Sequence, residues 1–139
     1  MNFLLDTCTI SEPKQKKPSE KVLEWLDAQD ESKLYLNVLT LGEIKKGITR
    51  LESSRKRAEL EKWLEQLQAR FSRRILPLSE KTFLVWGKVY GEFERKGIVR
   101  PAFNSLLEAT ALEHDMIFVT QNVKNFHDSQ ITILNPWAD

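Results

Sequence analysis

Short apolar runs recur along the chain between polar segments, which is the pattern of buried β-strands. They lie at residues 3–5, 34–38, 75–78, 117–119 and 131–134. The run at 75–78 contains Pro77, which has no backbone N–H to donate, so this segment is expected only as an edge or entry strand. The pattern therefore predicts a small sheet of four or five strands.

Apolar residues at helical spacing fill the segments between these runs. After Thr40, the residues Leu41, Ile44, Ile48 and Leu51 follow one another at offsets that place them on one face of a helix. Further helices are predicted after Ser19, over 60–71, from Ser79 to a stop near Gly97, and over about 103–114. Helices that alternate with strands indicate an α/β fold whose mostly parallel sheet is covered by helices on both faces.

The composition is typical of a soluble globular protein, with 41% hydrophobic and 29% charged residues. A length of 139 residues suits one domain, which we place at 1–139. The chain has neither an apolar run long enough for a bilayer nor a signal-peptide pattern, so we expect a cytoplasmic protein without membrane insertion. The single cysteine, Cys8, excludes an internal disulfide framework. The net charge of +1 means that any surface for nucleic acid must be local.

Polar side chains follow the predicted strands at the edge where ligands meet a parallel sheet. In open parallel sheets, ligands bind beyond the carboxyl ends of the strands. Asp6 directly follows the first strand, Glu43 lies in the helix after the second, and Asn122 follows the strand at 117–119. Asn104, near the start of its helix, is a fourth candidate. Oxygen ligands that converge at one edge suit a hard divalent cation, Mg²⁺ or Mn²⁺.

Each of these residues also has a purely structural interpretation. Asp6 and Asn104 are good N-cap residues, and Asn122 lies in a turn where asparagine is favoured because it bonds its own backbone. Thr40 and Glu43 have the spacing of a capping box, which stabilises a helix start by about 1 kcal/mol. Local pattern alone favours capping for Glu43 and Asn104 and leaves Asp6 evenly divided between the two interpretations.

Four short motifs are spread in order over the chain. They read FLLDT at 3–7, LGEI at 41–44, PAFNSLL at 101–107 and FVTQN at 118–122. Together they resemble the motifs of PIN-domain ribonucleases of the VapC toxin type. The resemblance implies a PIN-like α/β/α fold and a metal-dependent endoribonuclease toxin of a type II toxin–antitoxin pair, which hydrolyses RNA phosphodiesters with Mg²⁺ or Mn²⁺.

The resemblance also implies a set of four catalytic and metal-binding residues. Asp6 and Glu43 match the acids of the family, and Asn122 stands where members carry Asp or Asn. Asn104 stands where the family has Asp. The implied partners are a VapB-like antitoxin that blocks the site, an RNA substrate with tRNA as one class, and a second copy in a homodimer within a larger toxin–antitoxin assembly.

Asn104 is the main departure from the family pattern. An amide keeps the shape of an aspartate but removes one negative charge and one ligating oxygen. Two explanations are open: the chain is an inactivated form of a toxin, or its natural sequence recruits Glu108, one helical turn further on the same face. The alternative function is a catalytically dead PIN module that binds an antitoxin or RNA without cutting it.

Other residues are expected to assist this set. Thr7 and Thr120 are candidates for hydrogen-bond support of the site. Lys45, Lys46 and Arg50 follow Glu43 closely and are candidates for contacts with RNA phosphates, although a solvated helix face fits them equally well.

Protein contacts are expected at two places. The homodimer is expected to bury the surplus apolar side chains of the amphipathic helices, which are Trp25, Leu60, Trp63, Leu64 and Leu67. The antitoxin is expected to enter the groove near Asp6, Glu43 and Asn122, since the resemblance implies a partner that brings a basic side chain to an acidic site.

Overall fold

The sheet of the computed structural model, which describes residues 1–138, has five strands that all run parallel. The strands are β1 (Phe3–Leu5), β2 (Leu34–Asn37), β3 (Ile75–Leu76), β4 (Ile117–Val119) and β5 (Ile133–Leu134). Their order across the sheet is β3-β2-β1-β4-β5. The central strand β1 pairs Phe3 with Leu34 of β2 and with Ile117 of β4. The predicted small parallel sheet is confirmed, and β3 lies at its edge as Pro77 indicated.

Six α-helices flank the sheet in the described residues. They are α1 (Thr7–Ser11), α2 (Glu20–Ala28), α3 (Val38–Thr49), α4 (Arg55–Arg70), α5 (Glu80–Arg95) and α6 (Ala102–Glu113). Three short 3₁₀ segments lie at Glu12–Lys14, Glu31–Lys33 and Val123–Phe126. The sequence pattern does not predict α1 or the 3₁₀ segments, because elements of three to five residues are too short to show a helical period. None of the helices in residues 1–138 is long and apolar enough to cross a membrane.

Neighbouring residues of β1 point to opposite faces of the sheet and belong to two separate apolar layers. Leu5 packs in one layer with Ile44 of α3 and Leu67 of α4. Leu4 packs in the other layer with Leu107 of α6. Helices therefore cover both faces, as predicted, and both ends of the chain contribute strands to the same sheet.

The start of α3 differs from the predicted capping box. The helix begins at Val38 and is capped by Asn37, whose side-chain oxygen accepts a hydrogen bond from the backbone N–H of Leu39 at 2.7 Å. Thr40 therefore lies inside the first turn, where its buried hydroxyl has no hydrogen-bond partner among residues 1–138. The capping-box prediction is wrong, and Glu43 is not used to start the helix.

The amphipathic helices keep their large apolar side chains inside the protomer. Leu64 and Leu67 are buried in the layer above β1, and Trp25, Leu60 and Trp63 pack half-buried against the same layer. The prediction that these side chains form a dimer surface is wrong for the two buried leucines. The other three cover the sheet, because α2 and α4 lie over this face.

Candidate active site

A pocket of about 340 Å³ opens beyond the carboxyl ends of the central strands. All four predicted site residues line it: Asp6, Glu43, Asn104 and Asn122. Asp6 directly follows β1, Glu43 lies on α3, Asn104 lies in the first turn of α6, and Asn122 follows β4. Parallel pairing of neighbouring strands thus brings four distant parts of the sequence to one edge of the sheet.

Asp6 is almost fully buried, and both of its carboxylate oxygens accept hydrogen bonds. Oδ1 accepts from the backbone N–H and from the hydroxyl of Thr9, each at 2.9 Å. Oδ2 accepts from the hydroxyl of Thr120. The N-cap interpretation of Asp6 is confirmed, because the bond from Thr9 N–H caps α1. The same carboxylate therefore starts a helix and lines the pocket, with its orientation fixed by two hydroxyl groups.

Glu43 is held by a second threonine. The hydroxyl of Thr7 donates to Oε1 of Glu43 at 2.7 Å, across a sequence separation of 36 residues. The predicted supporting role is confirmed for Thr7 and Thr120, since each donates to one of the two acids in the pocket. Both acids are thereby fixed by neutral donors, and neither forms an ion pair with a cation among residues 1–138.

The two asparagines of the pocket are not occupied with helix capping. Pro101 is the residue at the N-cap of α6, so Asn104 lies within the helix and the N-cap prediction for it is wrong. Asn122 precedes the 3₁₀ segment Val123–Phe126 without capping it through its side chain. Both side chains are neutral, and residues 1–138 contain no group of three or more His, Cys, Asp or Glu that could hold a metal ion. The negative charge of the pocket comes from Asp6 and Glu43.

Cys8 lies against the Asp6 carboxylate. Its sulfur is 2.9 Å from Oδ1 and 3.0 Å from Oδ2 of Asp6. Burial, reinforced by the negative charge and hydrogen bond of Asp6, raises the pKa of the Cys8 thiol to about 12. The thiol is therefore neutral at physiological pH and donates to the carboxylate.

We expect Cys8 to react very slowly with iodoacetamide at pH 8 in the presence of EDTA. With a pKa of about 12 the thiolate fraction lies about 1,000-fold below that of an ordinary thiol. Alkylation of the folded protein should be at least about 100-fold slower than alkylation of the urea-unfolded chain, which carries the same single thiol. Asp6→Asn should speed up the reaction of the folded form. Equal rates for folded and unfolded protein would contradict this reasoning.

Glu108 does not line the pocket and is committed elsewhere. Its Oε1 accepts from Nε of Arg100 at 2.8 Å and from the hydroxyl of Tyr90, and its Oε2 accepts from the hydroxyl of Ser129. The explanation that Glu108 replaces the missing acid at Asn104 is therefore wrong for this conformation. One helical turn separates the two residues, but the side chain of Glu108 is held by a buried cation and two hydroxyl groups.

Other side chains complete the lining of the pocket, and the sequence pattern does not predict some of them as site residues. Ser11 and Gln15 line the pocket from α1 and the segment after it, which the sequence pattern does not predict as an element. Three expected phosphate contacts are exposed and do not line this pocket: Lys45 and Lys46 on α3, and Arg50 directly after it.

A comparison of the whole sequence with protein families identifies the family that the motifs, the sheet topology and the pocket point to. Residues 3–128 match the PIN domain. The chain belongs to the PIN-domain family. Two proteins that are similar to it are Toxin FitB of Neisseria gonorrhoeae, 31% identical over 99% of both chains, and VapC ribonuclease Y4jK of Sinorhizobium fredii, 27% identical over 97% of both.

The fold of this PIN-domain protein also matches a solved structure along its whole length. A structure of FitAB bound to an IR36 DNA fragment contains a chain that superposes with a TM-score of 0.93 at 30% identity. The match covers 99% of this chain and 96% of that chain. These comparisons confirm two predictions: that the chain is a PIN-domain protein of the VapC type, and that its fold is α/β/α.

Proposed function

We propose that this PIN-domain protein is a metal-dependent endoribonuclease toxin of a type II toxin–antitoxin pair, with an activity that Asn104 weakens. The convergence of Asp6, Glu43, Asn104 and Asn122 on one pocket carries the proposal. The names of two relatives, Toxin FitB and VapC ribonuclease Y4jK, support the same class. We further propose that 1–139 acts as one domain and, since its substrate is cellular RNA, that it works in the cytoplasm.

The ligands of the pocket fit a divalent cation in kind but are low in charge. All four residues of the proposed set offer oxygen atoms, which hard cations such as Mg²⁺ and Mn²⁺ require. Asp6 and Glu43 contribute charge, whereas Asn104 and Asn122 are neutral. Sites with one or two carboxylates bind Mg²⁺ when substrate phosphates complete the coordination, and Asp6 and Glu43 supply two. When bound, the cation would lower the pKa of a water and offset the charge that builds on the phosphate.

The residues of this chain prepare the pocket for phosphodiester hydrolysis. Thr120 fixes the Asp6 carboxylate, so little reorganisation is needed when a cation binds. Thr7 occupies Oε1 of Glu43 and leaves Oε2 to orient a water by accepting its hydrogen bond. Asn122 also lines the pocket, and its carboxamide N–H would donate to a phosphate oxygen.

A VapB-like antitoxin is the proposed protein partner. The structure of FitAB bound to a DNA fragment supports this, because one of its chains shares the fold of this protein over 99% of the length. Asp6 and Glu43 give the pocket negative charge, which a basic side chain of the antitoxin would neutralise. We also propose a larger toxin–antitoxin assembly, which the structure of FitAB bound to a DNA fragment supports.

Sequencing of RNA 5′ ends in bacterial cells that express the Asn104→Asp form tests the proposed activity. We expect a small number of new, strong cleavage sites, because a structured pocket admits few RNA sequences. The double variant with Asp6→Asn is the matched control and should produce none. A soluble Asn104→Asp protein that leaves the RNA ends of the cell unchanged would contradict the proposal.

The second candidate function is a binding module that does not cut RNA. The presence of only two acids in the pocket favours it, since the shape of the site is kept while its charge is reduced. Such a module would bind an antitoxin with either residue at position 104. It would leave RNA intact in both cases, which separates it from the first proposal.

We propose a homodimer whose contact lies on α5 and at the start of α6. Five exposed apolar side chains lie on these helices and on the segment that connects them: Phe83, Leu84, Trp86, Val99 and Phe103. The two helices pack directly against each other, and the indole N–H of Trp86 donates to the hydroxyl of Ser105 at 2.9 Å. An exposed apolar surface of this kind on a small protein usually marks an interface.

Leu84→Asp should convert the homodimer into a monomer. Leu84 is 69% exposed, so a charge at this position disturbs the contact but not the protomer fold. Light scattering at micromolar concentration should give twice the chain mass of 16.2 kDa for the unmodified protein and the single mass for the variant. The matched control is Val38→Asp, at an exposed apolar residue of α3. A single-chain mass for the unmodified protein would contradict the dimer.

A further inference from the structure

Three cavities adjoin one another, since neighbouring ones share lining residues, and together they form a groove. The active-site pocket shares Thr7, Ser11, Gln15 and Glu43 with a second cavity of about 360 Å³ between α3 and α4. The second cavity shares Lys14, Gln15 and Lys56 with a third of about 560 Å³. Gln15 lines all three, so the groove leads from the acids of the pocket along the segment that follows α1.

The far end of this groove is basic. The third cavity is lined by four lysines, Lys14, Lys16, Lys17 and Lys56, and we call it the lysine groove. Among its lining residues the one acid is Glu12, whose carboxylate accepts a hydrogen bond from the backbone N–H of Ser19 at 3.2 Å.

The four lysines keep their charge available for a ligand. None of them forms an ion pair with a carboxylate in the described part of the chain. On α4 the neighbours of Lys56 behave differently, because Arg55 and Arg57 each pair with a glutamate one turn further on. The lysine groove therefore concentrates unneutralised positive charge beside the acidic pocket of a protein whose net charge is only +1.

We propose that the lysine groove binds the phosphate backbone of single-stranded RNA that extends from the active-site pocket. The inference rests on the proposed ribonuclease function and names the path of its substrate. Asp6 and Glu43 repel phosphates unless a cation is bound, so they give little RNA affinity of their own. Lysines that contact the RNA further along its backbone supply that affinity without taking part in the reaction.

RNA fits the groove better than an acidic segment of a protein does. A ligand that runs from the pocket to the lysines must meet carboxylates, or their bound cation, at one end and ammonium groups at the other. A nucleic acid carries anionic phosphate at every step, which suits the lysines at one end and the cation-loaded pocket at the other. A peptide that enters the pocket without a cation needs a basic residue there and acidic residues at the lysines. Between the ends, Leu60 and Trp63 offer an apolar stretch that suits an unstacked base.

Binding of a fluorescein-labelled 12-nucleotide RNA, measured in EDTA at several salt concentrations, tests the proposal. The test variant carries Lys→Gln at 14, 16, 17 and 56. The matched control carries the same change at Lys33, Lys62, Lys81 and Lys88, which are exposed and do not line the groove. Each lost contact with single-stranded RNA lowers the slope of log affinity against log salt by about 0.7. The slope of the test variant, which loses four contacts, should therefore be smaller by about 3.

The expected result is a lower salt slope and at least about tenfold weaker RNA binding for the test variant alone, with thermal unfolding unchanged. Equal slopes for the test and control variants would overturn the proposal. An oligoglutamate of equal charge that binds as tightly as RNA, with the same loss in the test variant, would also overturn it and assign the lysine groove to an acidic protein segment.

RNA cleavage by the Asn104→Asp form separates this proposal from the proposed function. Intact cleavage together with an unchanged slope would overturn the lysine groove alone. A lowered slope with no cleavage would overturn the ribonuclease function and retain the lysine groove as an RNA-binding surface. The RNA-binding measurement does not depend on catalysis, so the two failures are distinguishable.

Discussion

Asn104→Asp should raise Mn²⁺-dependent RNA cleavage by at least about 100-fold. Even groups that only orient the ligands of a metal change affinity or activity by about 10–100-fold, and position 104 lines the pocket itself. The new carboxylate would join Asp6 and Glu43 and increase the charge available for a cation by half. Cleavage of a labelled RNA, with and without EDTA, measures the effect.

Two further variants assign the gain to charge inside the pocket. Asp6→Asn in the Asn104→Asp background should abolish the gain, since it again leaves two carboxylates. Asn125→Asp makes the same chemical change at an exposed asparagine that does not line the pocket, and it should leave cleavage unchanged. Vigorous cleavage by the unmodified chain would contradict the prediction and would mean that Asp6 and Glu43 suffice.

Direct metal binding gives a second measurement that does not depend on turnover. Calorimetric titration with Mn²⁺ should give tighter binding for Asn104→Asp than for the unmodified chain, because a divalent cation gives up its water most readily to anionic oxygen. A gain in cleavage without a gain in Mn²⁺ affinity would assign position 104 to another step of the reaction.

The strands and most helices could be predicted because their signals are local. The apolar runs at 3–5 and 117–119 coincide with β1 and β4, and Ser19 and Ser79 cap α2 and α5 as their side chains suggested. The site followed from the same strands, since Asp6 lies directly beyond β1 at the edge where parallel sheets bind ligands. The rule that ligands bind beyond the carboxyl ends of parallel strands was enough to select this edge of the sheet as the site.

The features that could not be predicted depend on contacts between distant residues. No local pattern links Thr7 to Glu43, or Gln15 to both the pocket and the lysine groove, because both links depend on how α1 docks beside α3. Glu108 illustrates the same limit. Helical spacing placed it on the same face as Asn104, but Arg100 and Ser129 approach from other segments and draw its carboxylate away from the pocket.

Arg100 and Glu108 form a buried ion pair behind the site. Their side chains are 0% and 3% exposed, and Nε of Arg100 lies 2.8 Å from Oε1 of Glu108. Burial lowers the pKa of Arg100, but the hydrogen bond and charge of Glu108 outweigh it and raise the pKa above its usual value. Burial, followed by Glu108, also raises the pKa of Tyr90, so its phenol stays protonated and donates to the carboxylate.

This network connects α6 with residues 126–129, which follow Asn122 along the chain. Arg100 donates to the backbone carbonyl of His127 and lies over the ring of Phe126, a residue that lines the pocket. Ser129 donates to Oε2 of Glu108. The ion pair therefore connects the helix that carries Asn104 with the segment after Asn122, although it touches neither asparagine.

Glu108→Gln should lower the free energy of unfolding by about 3–5 kcal/mol, measured by urea denaturation. Removing one partner of a buried ion pair leaves the other charge, here the guanidinium of Arg100, without compensation in the interior. Glu113→Gln, on the same helix, is the matched control. Its carboxylate accepts from the hydroxyl of Thr82 at 2.5 Å but faces no buried arginine, so the loss should stay below about 2 kcal/mol.

The same variant decides between a structural and a metal-binding role for Glu108. In the Asn104→Asp background, Glu108→Gln should leave Mn²⁺ affinity unchanged at a temperature where the protein stays folded, because the side chain does not line the pocket. Arg100→Gln combined with Glu108→Gln should be less destabilising than the sum of the single changes, since no charge is then left unpaired. Unchanged stability together with lost Mn²⁺ binding would reverse this assignment and make Glu108 a ligand of the site.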